Sequence, residues 1–368
     1  MTGADAKKFG AVIGKLIQKK DLGREECRRL FHEILNNTQN DMQQGAFLAA
    51  LASKGETIEE IAGVWEAIYQ IDTVQVKPNV GGVPLVDNCG TGMDSFKTFN
   101  ISTAASVIAA AAGTVMARHG ARAITSSCGT VDMVEALGVD VECEPGIVVK
   151  SIEEAGVGVF NGMSPRVHPR ALGRILSQIS FGTVLNIAAS LANPALPEYG
   201  VRGVCSGELL QHVPHIMREI GYRRAVVVNG QVAGSPFSMD EASTAGETLV
   251  AELFKDGAIK HYSFYPDDFG IKRSDPDELL PGTNLEDEVR RMVALLAGEG
   301  SSARREIASL NAGLILYTSG TTTTIKEGYN VALETIRSGK AMEKLYDWVR
   351  VQNTDPSGGI ARLNSYLS

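Results

Sequence analysis

Asp87-Asn-Cys-Gly-Thr-Gly-Met-Asp94, preceded by Val83-Pro-Leu-Val86 and followed closely by Asn100-Ile-Ser-Thr103, is the stretch on which the reading of this chain turns. The four apolar residues have the composition of a short strand. Gly90 and Gly92 let backbone amides close on an anion, and Ser102 and Thr103 open an alanine-rich helix whose N-terminus favours negative charge. Strand, glycine turn and helix in that order form the unit of an α/β fold. The ligand class that fits the turn is a phosphorylated sugar or nucleotide. An ordinary strand-to-helix turn with two glycines is the competing reading, because short glycine patterns recur by chance.

Two further segments favour the anion site. Arg118-His-Gly-Ala-Arg122 continues into Thr125-Ser-Ser-Cys-Gly-Thr130, and two guanidinium groups beside a run of hydroxyls suit multidentate phosphate recognition. Ser238-Met-Asp-Glu241 places adjacent carboxylates in a polar stretch. Hard oxygen ligands of this kind suit Mg²⁺, which binds through one or two carboxylates while substrate phosphates and water complete its shell.

In this order the segments resemble the anthranilate phosphoribosyltransferase family, and the resemblance covers nearly the whole chain. The family's Gly-Thr-Gly-Gly-Asp loop stands here as Gly90-Thr-Gly-Met-Asp94, its Asn-x-Ser-Thr as Asn100-Ile-Ser-Thr103, and its Lys-His-Gly-Asn-Arg as Arg118-His-Gly-Ala-Arg122. The resemblance implies an enzyme that uses phosphoribosyl pyrophosphate and Mg²⁺, with a small helical domain hinged to a large α/β domain of nucleoside phosphorylase type, commonly as a homodimer. It assigns Gly90, Thr91, Gly92 and Asp94 to the pyrophosphate. Asn100, Thr103, Arg118, Ser126 and Thr130 fall to the ribose and its phosphate. Asp240 and Glu241 fall to the metal, with Ser102 as a third oxygen ligand.

Departures from the family pattern gather where the acceptor would bind. His119 and His168 are retained. Ala121 replaces an asparagine that touches anthranilate in the family, and Gln178 replaces the arginine that pairs with its carboxylate. Asn186-Ile-Ala-Ala-Ser-Leu-Ala-Asn-Pro194 also departs from Asn-x-Leu-Gly-Pro-Leu-x-Asn-Pro. The expectation is a small aromatic acceptor other than anthranilate. The alternative is a true anthranilate phosphoribosyltransferase in which Arg166, Arg170 or Arg174 has taken over the carboxylate. Met93 and Arg118, in place of glycine and lysine, leave donor binding intact.

Composition bounds these readings. The chain has 368 residues, 44% hydrophobic and 21% charged, enough for a large core and a second, smaller unit. A net charge of −8 gives no general footprint for nucleic acid or an anionic membrane. The five cysteines are scattered without Cys-x-x-Cys spacing, which fits a reduced, cytoplasmic protein. The apolar run Ile101 to Ala112 falls short of the roughly 20 residues a membrane span takes.

Residues 1–80 read as helices only. Phe9, Val12, Ile13, Leu16 and Ile17 recur at helical spacing, and Thr57-Ile-Glu-Glu60 is a capping box. Gly81-Gly82 reads as the hinge into residues 81–368, where strands and helices alternate and imply a mainly parallel sheet covered on both faces. Expected strands include Val83–Val86, Thr114–Ala117, Val157–Phe160, Val201–Cys205, Ala225–Val228, Thr248–Leu253 and Ile259–Phe264, and Thr130 is expected to cap a helix. A helical segment near 170–190 is expected to join the small domain. Two further function classes compete: a nucleoside phosphorylase, which needs no Asp-Glu metal pair, and a non-catalytic nucleic-acid-binding paralogue, which should carry a basic stripe instead.

Overall fold

Four helices, α1 (Gly3–Ile17), α2 (Arg24–Leu35), α3 (Asp41–Lys54) and α4 (Ile58–Asp72), precede the first strand in the computed structural model, which describes residues 3–122, 128–179 and 181–367. Their packing follows from helical periodicity. In α2, Cys27, Leu30, Phe31, Ile34 and Leu35 are buried on one stripe, and the Phe31 and Phe9 rings both meet Phe47 of α3. The capping box is present. Glu60 N–H donates to the Thr57 hydroxyl at 3.2 Å, and the Glu60 carboxylate accepts from Thr57 N–H at 2.8 Å and Leu22 N–H at 2.8 Å.

The α/β region follows as β1 (Leu85–Cys89), α5 (Ile101–Ala111), β2 (Val115–Gly120), α6 (Thr130–Ala136), α7 (Pro145–Glu154), β3 (Val157–Asn161), α8 (Leu172–Gln178), α9 (Leu185–Ala188), β4 (Tyr199–Gly203), α10 (Gly207–Glu219), β5 (Arg224–Gln231), β6 (Ser238–Met239), β7 (Thr248–Leu253) and β8 (Ile259–Phe264). Helices α11 (Leu285–Leu296), α12 (Ser302–Ser319), α13 (Ile325–Arg337), α14 (Lys340–Val351) and α15 (Pro356–Asn364) close the chain. The strands form one sheet in the order β3-β2-β1-β4-β5-β7-β8, with β6 on β5. The first five are parallel and the rest antiparallel, so the mainly parallel sheet is as expected.

Both faces of the sheet are covered, and β5 shows how. Val226 and Val228 point into a core with α5 and α11–α14, while Ala225 and Val227 point into a second core. That second core is continuous with α1–α4 and also takes in Ala171, Leu172, Ile175 and residues of the 184–192 segment. Asp72 at the end of α4 reinforces the join, because its carboxylate accepts from Ala171 N–H at 3.0 Å and Leu172 N–H at 2.7 Å. Trp65 adds a bond from its indole to the Leu191 carbonyl at 2.9 Å. Gly81 and Gly82 both take positive φ, +64° and +81°, a conformation that suits glycine.

Three local expectations are corrected. β1 starts at Leu85 rather than Val83, since Pro84 has no N–H to donate. β4 spans Tyr199–Gly203 rather than 201–205; it stops at Gly203, where the Asp240 carbonyl passes so close that a Cβ would lie 1.4 Å from it. Thr130 is the first residue of α6, and the cap is Gly129, whose N–H donates to the Asp132 carboxylate at 3.0 Å.

Candidate active site

Strand order reverses between β1 and β4, and the loops leaving their carboxyl ends splay apart there, where ligands bind in open α/β sheets. A cavity of about 570 Å³ occupies this position. Gly90, Thr91, Gly92 and Asp94 line it from the loop after β1, and Asp240 and Glu241 line it from the loop after β6. The two loops touch. Gly92 N–H donates to the Asp240 carboxylate at 2.7 Å, the Thr91 hydroxyl lies 3.3 Å from the same oxygen, and a Cβ on Gly90 would meet Asp240 at 2.4 Å. Gly90 is therefore required by close approach and Gly92 by its φ of +70°.

This corner concentrates negative charge. Glu241 is buried with one carboxylate oxygen unpartnered, and burial, then Asp240 and Asp94, push its carboxyl well above the usual range. Asp94 is also raised, by burial and by Asp240, against the pull of Lys97 at 2.8 Å. Among the described residues no group of three or more His, Cys, Asp or Glu could hold a metal unaided. The donor set instead fits Mg²⁺, which takes one or two carboxylates and draws its other oxygens from phosphates and water. Ser102, on the same wall, adds a hydroxyl.

The basic side of the cavity is narrower than its sequence implied. Arg118 on β2 reaches the wall, held by the Thr103 hydroxyl at 3.0 Å and the Asn88 carbonyl at 3.4 Å, with its Nε unpartnered. Thr103 does not line the cavity; it is buried beneath and orients Arg118. Arg122 reaches the rim but pairs with Asp132, Glu135 and Glu142 at 2.7–3.2 Å, so its charge is neutralised locally. Asn100 and Thr130 line the wall as expected, and the Asn100 amide donates to the Cys128 carbonyl at 3.3 Å. Ser126 lies outside the described residues.

On the side where the acceptor is expected, His119 and Ala121 join an apolar wall of Leu172, Leu176, Ile179, Phe181 and Leu185. Two expectations are corrected here. Gln178 is exposed and off the cavity, because α8 turns positions 172, 176 and 179 inward and position 178 falls on the opposite face. His168 lies behind His119, not on the surface of the cavity. Its Nδ1 sits 2.7 Å from the Asp72 carbonyl and its Nε2 3.0 Å from His119 Nε2. A carbonyl only accepts, so His168 Nδ1 carries the proton, His119 Nε2–H donates to His168, and His119 Nδ1 is left as a bare lone pair. Burial, with His168 close by, takes His119 down to about 3.

None of the three arginines near His168 turns to the cavity. Arg166 pairs with Glu144, Arg170 reaches Asn36 at 3.0 Å, and Arg174 reaches Asp41 at 3.3 Å and Gln44 at 3.0 Å. Asn186 and Ser190, from the departing segment 186–194, line the cavity, whereas sequence reasoning missed Arg202, which is buried under Ser190. The overlooked signal was a lone charge inside the apolar run from Val201 to Cys205.

The pattern of the "Glycosyl transferase family, a/b domain" matches residues 82–342, and that of its "helical bundle domain" matches residues 11–70. Named anthranilate phosphoribosyltransferases from Desulfosudis oleivorans and Methanothermobacter thermautotrophicus are 37% and 36% identical, covering 92% and 93% of this chain and 96% and 97% of their own. The chain belongs to the anthranilate phosphoribosyltransferase family. It is a phosphoribosyltransferase of the glycosyltransferase class. The crystal structure of the anthranilate phosphoribosyltransferase from Thermus thermophilus has the same fold, with a TM-score of 0.82 at 32% identity over 92% of this chain and 98% of its own. The yeast enzyme, solved with phosphoribosyl pyrophosphate and Mg, shares the fold at a TM-score of 0.81 and 22% identity.

Proposed function

We propose that this protein transfers the phosphoribosyl group of phosphoribosyl pyrophosphate to a small aromatic acceptor and releases pyrophosphate, with Mg²⁺ as cofactor. The observation that carries this reading is the single cavity in which a glycine turn, the Asp240–Glu241 pair and Arg118 face an apolar wall. Breaking the anomeric bond develops positive charge on the ribose and negative charge on the leaving group, so stabilisation is mainly electrostatic. Asp240 and Glu241 would hold Mg²⁺, which would supply positive charge toward the pyrophosphate leaving group. Arg118 and the glycine-turn amides other than Gly92, whose N–H is committed to Asp240, hold phosphate oxygens, and closure about Gly81-Gly82 excludes water that would hydrolyse the activated sugar. His119 is not a general base, since a group protonating near 3 takes up a proton poorly at neutral pH. An aromatic amine can attack before losing its proton.

On the acceptor, the names of the relatives favour anthranilate over another aromatic. Gln178 also loses weight as evidence against anthranilate, because it faces away from the cavity. The second reading, a different aromatic acceptor, rests on Ala121 and on the turning away of Arg166, Arg170 and Arg174. A steady-state assay separates them. A kcat/KM for anthranilate of about 10⁴ M⁻¹s⁻¹ or more supports the tryptophan-pathway reaction. An inert anthranilate, with pyrophosphate released by another aromatic, supports the second reading. Calorimetry of phosphoribosyl pyrophosphate with and without Mg²⁺ tests the donor assignment, and binding indifferent to chelator would overturn it.

A further inference from the structure

Met93 stands where the family pattern has a glycine, and its backbone and its side chain belong to different sides of the cavity. The backbone is held in the donor corner. Gly92 before it donates its N–H to Asp240 at 2.7 Å, Asp94 after it pairs with Lys97 at 2.8 Å, and the same Lys97 donates to the Gly92 carbonyl at 3.2 Å. The side chain leaves that corner for the segment between α8 and α9. Its sulfur lies over Gly182, 3.2 Å from the point that a Cβ there would occupy.

Gly182 has free room for a side chain only if Met93 withdraws. Its φ is outside the left-handed region, so the backbone makes no demand for glycine, and the Met93 sulfur is the one atom that a Cβ would meet within 4 Å among the described residues. A long, unbranched thioether facing a missing side chain is a pair matched in size, and methionine suits such a gap. Next to it Phe181, 50% exposed, lines the same cavity, and Thr183 N–H donates to the Asn186 side chain at 2.9 Å. Ile179 and Val184, on either side of this short segment, belong to the core shared with the helical layer. Met93 therefore ties the donor turn to the layer that forms the apolar wall.

We propose that Met93 is a positioning residue that couples the two halves of the cavity: a donor in the glycine turn fixes Met93 against Gly182, and this sets the apolar wall, so that each substrate binds more tightly when the other is present. This rests on the phosphoribosyl transfer reading. The coupling is reciprocal, since donor and acceptor must change each other's affinity by the same factor. A role for Met93 as filler alone predicts a lower melting temperature on its removal and no change in that factor.

The test uses the full chain as wild type, Met93→Ala, which removes the side chain without freeing the backbone as glycine would, and Met93→Leu, which keeps an apolar side chain of similar volume. Hydrogen exchange of the amides of residues 181–186 is followed with and without phosphoribosyl pyrophosphate and Mg²⁺. The donor should slow these amides about fivefold or more in wild type, the lower end of ordinary coupling between sites, and by less than twofold in Met93→Ala. Met93→Leu should restore most of the effect. Calorimetry of anthranilate with and without Mg²⁺ and pyrophosphate, which fills the turn without reacting, should show the same factor in wild type and its loss in Met93→Ala. If anthranilate does not bind, the exchange rates decide. Amides that the donor leaves unchanged in wild type, or slows equally in Met93→Ala, overturn the proposal, as does a Met93→Ala variant that melts lower with its coupling intact. Failure of the phosphoribosyl reading appears separately, as absence of Mg²⁺-dependent donor binding to wild type.

Discussion

Glu241 is under opposite demands in the free and the loaded protein. Without a cation it is a buried carboxylate beside Asp240 and Asp94, so Glu241→Gln should raise the stability of the free protein by about 1 kcal/mol or more, as relief of buried like charge does. The same substitution, combined with Asp240→Asn, should weaken Mg²⁺-dependent donor binding by 2 kcal/mol or more, roughly thirtyfold, as loss of a buried charge partner does. Thermal melts of the single variant and calorimetry of the double variant, each against wild type, read the two signs, and a single variant that melts lower with a double variant that binds normally would refute the assignment. His119 makes a second residue-level prediction. Its proton affinity in the folded state is depressed to about 3 from 6.5, so its contribution to stability is complete above pH 6.5 and falls as the pH drops toward 3. Between pH 7 and 5 that is a loss of about 2 kcal/mol. Urea titrations of wild type and His119→Asn at the two pH values check it, and the variant should show a smaller drop. That Gly90, Gly92, Asp240 and Glu241 share one cavity was legible in the sequence, because glycine turns and adjacent carboxylates stand out by residue type and spacing. Thr103, His168 and Gln178 were misplaced because a motif gives residues and not the direction in which each side chain turns. Arg202 was passed over because a strand arginine is ordinarily an edge or surface residue.

Helix α8 owes its position to a residue on another element. Asp72 is fully buried at the end of α4, and its carboxylate takes three backbone N–H groups at the start of α8, those of Arg170, Ala171 and Leu172, at 2.5–3.0 Å. The first turn of a helix has no intrahelical acceptors for these donors, so Asp72 substitutes for a local cap from about a hundred residues away along the chain. Asp72→Ala leaves two buried donors and one part-buried donor unsatisfied and should cost about 3 kcal/mol. Because Leu172 and Leu176 line the cavity on the side proposed for the acceptor, the acceptor KM should rise more than the donor KM. Chemical denaturation and the ratio of the two KM values check this, and equal effects on both substrates would show that α8 does not hold the wall. At this scale the sequence was readable where a signal was local. Thr57 and Glu60 make their capping box within one turn. The start of β1 and the end of β4 were displaced because Pro84 withholds a donor and the Asp240 backbone crosses Gly203, and the second of these is a tertiary contact.

Apolar cores flank one sheet on both faces, and the candidate site lies where the strand order reverses. The alternation of strands and helices predicted that arrangement, since a parallel sheet must be covered on both faces. What the alternation did not contain is the continuity of the second core, which runs from α1–α4 through α8 and α9 onto β5, so the helical layer and the apolar wall of the cavity are one packed body. That leaves the outer face of the helical layer to be accounted for. α1 and α3 run side by side in the same direction, tied at one end by Gln43 to the Ala6 carbonyl at 3.1 Å and at the other by Lys19 to Ser53. Met42 and Ile17, 87% and 68% exposed, stand near opposite ends of this pair. We propose this face as the homodimer interface, since closed two-fold pairing is the common way such a helix pair covers exposed apolar residues. Light scattering at micromolar concentration should give twice the 39.2 kDa of one chain. Met42→Asp places a charge at the contact and should shift the protein to monomer while leaving its melting temperature within a few degrees, because a residue so exposed adds little to the fold of its own chain. A wild-type monomer, or a Met42→Asp dimer of unchanged affinity, would remove α1 and α3 from consideration as the interface.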